Sequence, residues 1–266
     1  NVSEDVDKKS ALIFVEDGAG TPAAGKIFAS SARGASRGGN GINNDAFGSI
    51  GDWAVDLVVS EKTPVQAAGD FGNFTESGHP LYTGGDASKS TLSAGFGALG
   101  WGSFGANAYN RSSGLGSVAM GFNTVAGPQD SQAGNIDGGN VGQFSAGYAS
   151  RAIGNISTAT GYRNTASGSA SVAMGNYNYA TGNATIALGK ENWAEGASTV
   201  ALGFKNHAAG DGAGALGQQN IAWGTTNFTA GFENVAGDIN AAVGTAGSAT
   251  AMGTGTTASG RSSFSA

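Results

Sequence analysis

The sequence predicts an all-β fold, a parallel β-roll of fourteen-residue coils over residues 91–266, preceded by a β-rich module over residues 1–90. Two observations carry that reading and a third limits it. Ala recurs every seven residues from Ala159 to Ala222, and Gly follows two positions later each time, giving ten consecutive Ala-x-Gly units in phase. Alternate heptads differ, so the true period is fourteen. The chain also holds 48 Gly in 266 residues, more than twice the usual share of ~7%. So many small residues suit thin layers and tight turns, not a thick core.

The repeat is not helical. A Gly in every heptad costs a helix about 1 kcal/mol each time, and the apolar seam of a coiled coil is missing. One half-unit reads Ser171-Val172-Ala173-Met174-Gly175, then Thr185-Ile186-Ala187-Leu188-Gly189, then Thr199-Val200-Ala201-Leu202-Gly203. The other reads Asn178-Tyr179-Ala180-Thr181-Gly182, then Asn192-Trp193-Ala194-Glu195-Gly196, then Asn206-His207-Ala208-Ala209-Gly210. Each is expected to form a five-residue strand of period two followed by a two-residue corner. Two strands make a coil, and stacked coils make a solenoid.

Alternation assigns the faces. Ser/Thr/Asn, Ala and Gly occupy positions one, three and five, and so narrow a coil must turn these small residues inward. The series Asn164, Asn178, Asn192, Asn206, Asn220 and Asn234 is expected to form an internal ladder that satisfies buried polar groups. Positions two and four then point outward. On the first sheet they are Val172, Met174, Ile186, Leu188, Val200, Leu202 and Leu216. This apolar stripe exceeds what a monomer leaves in water, and three sheets around an axis would cover it, so a homotrimer is expected. The second sheet is expected to face solvent. Its row Tyr179, Trp193, His207, Ile221 with Trp223 is the candidate binding surface, because aromatics are enriched where proteins recognise partners. Ordinary sheet-face residues of high β propensity are the competing explanation.

The S-V-A-M-G and T-I-A-L-G units alternating with N-x-A-x-G units resemble the head repeats of trimeric autotransporter adhesins, the YadA-like head, which also occur in phage tail fibres. The resemblance covers residues 157–226 cleanly and residues 91–127 and 227–260 less regularly. It implies a left-handed roll, three chains wide, displayed outside a cell. The stretch Gly51-Asp52-Trp53-Ala54-Val55-Asp56-Leu57 is similar to segments of phage tail proteins. A trimeric fibre on a virion surface, binding a host cell-surface glycan or protein, is therefore expected ahead of an adhesin head on a bacterial outer membrane. Residues 1–90 would then serve oligomerisation or attachment to a baseplate or stalk protein. Pro128 and Gly138-Gly139-Asn140 break the phase, and an insertion is expected over about 128–146. A chain opening on Asn1 is expected to be processed or trimmed. With no heptad stalk or anchor barrel in the sequence, it is expected to be an excised head or one anchored otherwise.

Other chemistry is argued against residue by residue. A net charge of −6 disfavours nucleic acid, no run of ~18 apolar residues is present to enter a membrane, and the absence of Cys removes disulfides and thiolate metal sites. Gly20-Thr21-Pro22-Ala23-Ala24-Gly25-Lys26 matches a phosphate loop, but Ile27 lacks the hydroxyl for Mg²⁺ and continues a strand-like run. The stretches Gly95–Gly100 and Gly212–Gly217 fit G-x-G-x-x-G, yet the repeat explains both. Gly38–Asp45 imperfectly matches a calcium-binding turn. His79 and His207 are far apart in sequence, and His207 is expected to be a solvated surface residue. No catalytic, cofactor or metal residue is assigned. A glycan-cleaving tailspike would need paired carboxylates, and an ice-binding solenoid a regular Thr row.

Overall fold

A computed structural model describes residues 12–13, 28–30, 54–59, 97–108, 110–127, 141–239 and 247–266. Every regular element among them is a β-strand. The chain divides into two compact units, Asn1–Ala149 and Ser150–Ala266. The phosphate-loop match at 20–26, the turn at 38–45 and His79 lie outside the described residues.

In the second unit, seven five-residue strands run in register from Thr158–Tyr162 to Thr250–Thr254, each parallel to the next. This is the wide sheet. A narrow sheet of two-residue strands alternates with it, from Arg151–Ala152 to Thr257–Ala258. The unit is thus a parallel β-solenoid with fourteen-residue rungs, as the period requires. One rung is longer. Phe228 pairs with Thr250, 22 residues on, so the array after Gly231 is strictly in register past one extended connection.

The two half-units are not equivalent, contrary to the expectation of five residues in each. At Thr181 and Gly182 both amides point to the single carbonyl of Ala194, at 2.9 and 3.5 Å, and the ladder stops there. The chain then turns at Gly182-Asn183-Ala184, where Ala184 has φ +54°. The corner is closed from within, because the Thr185 hydroxyl donates to the carbonyl of Gly182 at 2.8 Å. Ser157, Ser171 and Thr199 repeat this bond one rung at a time.

The interior is as small as the alternation requires. Ala159, Ala166, Ala173, Ala180, Ala187, Ala194, Ala201 and Ala208 are all 0% exposed and form one stack. The Asn ladder runs beside it. Asn206 Nδ2 lies 3.0 Å from Asn192 Oδ1 and donates to the carbonyls of Leu202 at 2.8 Å and Gly217 at 2.7 Å. Its own Oδ1 accepts from the Asn220 backbone at 3.1 Å. Each Asn therefore satisfies polar groups of its own rung and of both neighbours, which an apolar side chain cannot do.

The fourth residue of each wide strand, the fifth of the sequence unit, departs from simple alternation. Gly175, Gly189 and Gly203 are exposed, with φ between +116° and +119°. Their missing side chains would point along the axis into the next rung, where a glycine carbonyl stands. They are axial packing positions rather than inward ones.

In the first unit, Phe104–Ala108, Val118–Phe122 and Phe144–Tyr148 form parallel five-residue strands, with Gly97–Ala98, Arg111–Ser112 and Val125–Ala126 as the narrow partner. Gly97 lies in a strand of the roll and Gly100 packs against the next rung, while Gly95 lies outside the described residues. Phe144 pairs with Val118, 26 residues back, and Leu115 bridges Val141. Residues 141–146, expected to lie in the insertion, belong to the roll. Val55–Val59 pairs parallel with Phe104–Ala108 and with Phe28–Ser30, which in turn pairs antiparallel with Leu12–Ile13.

Candidate functional site

The second unit offers two faces. On the wide sheet the outward columns are set by register. Val172, Ile186 and Val200 stand side by side, as do Met174, Leu188, Leu202 and Leu216. All seven expected interface residues point out, and none is buried. Met174 is 42% and Ile186 37% exposed. Interior Ala and Ser/Thr drive the coil closed, yet the largest apolar side chains lie outside it. Covering a Val, Ile or Leu fully is worth ~1.5–3 kcal/mol, so these columns hold hydrophobic energy that the chain's own fold leaves unused.

The narrow face holds the aromatic row. Tyr179, Trp193, His207 and Ile221 are successive register partners. The expectation that this row is solvated is overturned. Trp193 is 4% exposed and His207 2%, while Tyr179, Ile221 and Trp223 are half-buried. The side chains cover one another. Tyr179 and Trp193 are 6.1 Å apart between centroids, Trp193 stacks on His207 at 5.1 Å and 22°, and Trp223 meets His207 edge-on at 5.5 Å and 81°. His207 Nε2 lies 3.1 Å from Glu195 Oε2. Rungs only ~4.8 Å apart bring flat rings of successive coils into contact, and contact buries them. The row is a self-packed spine whose outer boundary is Tyr179, Glu195, Ile221 and Trp223.

The Glu195–His207 contact spans twelve residues and is not visible in the second heptad taken as an independent strand. A further outward position, outside the five-residue sequence unit, follows each wide-strand glycine. There Lys190 pairs with Phe204 across the sheet, beside Glu191 and Lys205 at the corner. Among the described residues no cluster of three or more His, Asp or Glu has the arrangement of a metal site.

A family model described as the YadA head domain repeat matches residues 152–178, 166–192, 180–206 and 194–220, each match one rung beyond the last. No curated protein matches the chain significantly. Residues 152–220 of this chain are therefore similar to YadA head domain repeats.

Proposed function

We propose that the chain is a structural and adhesive fibre protein. In this reading it is a homotrimer of left-handed rolls, displayed outside the cell or particle and presenting a surface for host attachment. One observation supports this above others: the outward columns Val172/Ile186/Val200 and Met174/Leu188/Leu202/Leu216 are aligned in register and left uncovered by the chain's own fold. Threefold symmetry closes such a face on copies of itself. The role is non-enzymatic. Glu195, the carboxylate beside the aromatic row, is engaged with His207 rather than paired with a second acid.

The leading placement is a virion tail fibre, supported by the phage-like segment Gly51–Leu57. A bacterial autotransporter head is the second reading, favoured by the YadA head repeats. The test of assembly is multi-angle light scattering on Leu188→Asp/Leu202→Asp. Three like charges per position near the axis are expected to abolish the trimer, and an intact trimer overturns the face assignment. Antibody labelling of purified phage particles and of cells then separates the placements. Sugar release from a host polysaccharide would overturn the non-enzymatic reading.

A further inference from the structure

The wide strand changes character after its glycine, the fourth of its five residues. After the glycine with positive φ, the next two positions are mostly aromatic or charged: Tyr162 and Arg163, Tyr177 beside the neutral Asn176, Lys190 and Glu191, Phe204 and Lys205. Their rings and cations are interleaved. The Arg163 guanidinium lies 5.5 Å from the Tyr162 ring and 5.6 Å from the Tyr177 ring, and its Nη1 donates to the Tyr177 hydroxyl at 3.0 Å. Lys190 and Lys205 flank the Phe204 ring at 5.3 and 5.2 Å, and both reach Glu191 at 3.4 Å. Two ammonium groups thus share one carboxylate, which leaves positive charge in excess. The Lys190 side chain is 56% exposed and Lys205 38%.

We propose that this ridge binds an acidic polysaccharide, with Lys190, Lys205 and Arg163 meeting its carboxylate or sulfate groups and Tyr162 and Phe204 packing on its sugar rings. The inference rests on the reading of the chain as an exposed fibre and names the ligand class for that role. Charge spacing separates the candidates. Two rungs, about 10 Å at ~4.8 Å per rung, lie between Arg163 and Lys190. Such sparse cations suit a polymer with an acid on only some of its residues. Duplex DNA presents a charge every ~1.7 Å, and the chain's net −6 opposes so dense an anion. Aromatic faces beside the cations add contact area for sugar C–H groups that a simple polyanion lacks. Three ridges on one fibre would engage a long glycan together, raising avidity without new contacts.

The experiment measures the full chain on biosensor surfaces carrying heparin, hyaluronate, neutral dextran or polyglutamate, at low and at high sodium chloride. Binding to at least one acidic glycan, but not to dextran or polyglutamate, is expected, and it should weaken with salt. Lys190→Gln/Lys205→Gln is expected to lose roughly tenfold or more in affinity, the scale of a charge-assisted contact. The roll already carries Gln218 and Gln219 in these two columns, so the fold tolerates the change. Lys190→Arg/Lys205→Arg should retain binding. Equal binding to polyglutamate, no acidic-glycan binding, or full binding by the Gln variant overturns the proposal. Light scattering on the same samples separates the two readings. A trimer that ignores acidic glycans defeats this inference alone, and a monomer defeats the fibre.

Discussion

The carbonyl oxygen of Gly203 fills the space that a Cβ on Gly189 would need, and Asn192 Nδ2 lies 3.1 Å from the same position. The two atoms are hydrogen-bonded to each other at 2.7 Å. A side chain at Gly189 would therefore strike the rung above and part the bond that ties the Asn ladder to it. Gly189→Ala adds strain at φ +116°, about 1–3 kcal/mol, to the loss of a part-buried hydrogen bond to the Gly203 carbonyl, worth ~0.5–1.5 kcal/mol. A loss of at least ~1.5 kcal/mol is expected by denaturant unfolding. Gly116→Asn is the control, since its φ of +59° suits Asn and nothing lies within 4 Å of its Cβ position. That variant should unfold like the parent.

The ladder itself is the second target. Asn192→Leu keeps volume but removes the donor to the Leu188 and Gly203 carbonyls, at 2.8 and 2.7 Å, and the acceptor for the Asn206 amide at 3.1 Å. Each stranded group costs ~1–3 kcal/mol, so a loss above about 3 kcal/mol is expected. Asn192→Thr should cost less. Thr256 already takes this place at the end of the ladder, donating to Asn234 Oδ1 at 2.7 Å. Equal melting of the Leu and Thr variants would show that the ladder contributes volume only.

Corners offer a stabilising change. Ala184 is held at φ +54° and Ser198 at +57°, while the equivalent residue one rung on is Gly212 at +67°. The left-handed conformation costs a non-glycine residue roughly 1–2 kcal/mol, and glycine loses ~0.4–1 kcal/mol through the unfolded chain. Ala184→Gly is thus expected to raise stability by a few tenths to about 1 kcal/mol. A lower melting temperature in scanning calorimetry would contradict it.

How much of this was legible depends on whether a position speaks through its own side chain or through the next rung. Ala173 and Asn178 could be placed from period and size alone, since a fourteen-residue coil has room inside for little else. The apolar columns followed by subtraction. Gly175 could not be placed that way. A glycine looks like any small inward residue until its φ is known, and its role is to leave space along the axis. Trp193 and His207 failed for the same reason. Alternation places them outward correctly, but their burial comes from contacts fourteen residues away, which a strand-by-strand reading does not sum. Lys190 and Phe204 carry no signal in the repeat, because five-residue periodicity ends at the glycine before them.

That difference between outward and exposed can be measured at Trp193. A residue on a solvated sheet face changes stability by about 0.5 kcal/mol or less when truncated. Trp193 instead lies between Tyr179 and His207 and is 4% exposed. Truncating a buried Trp costs ~3–5 kcal/mol. Trp193→Ala should therefore destabilise like a core substitution although its Cβ leaves the coil on the outer side. Trp193→Phe keeps a ring against His207 and should recover much of the loss. Guanidinium unfolding of the two variants decides between the readings. Parent-like stability in Trp193→Ala would return the row to the solvated ladder that the sequence predicts, with its rings free for a ligand.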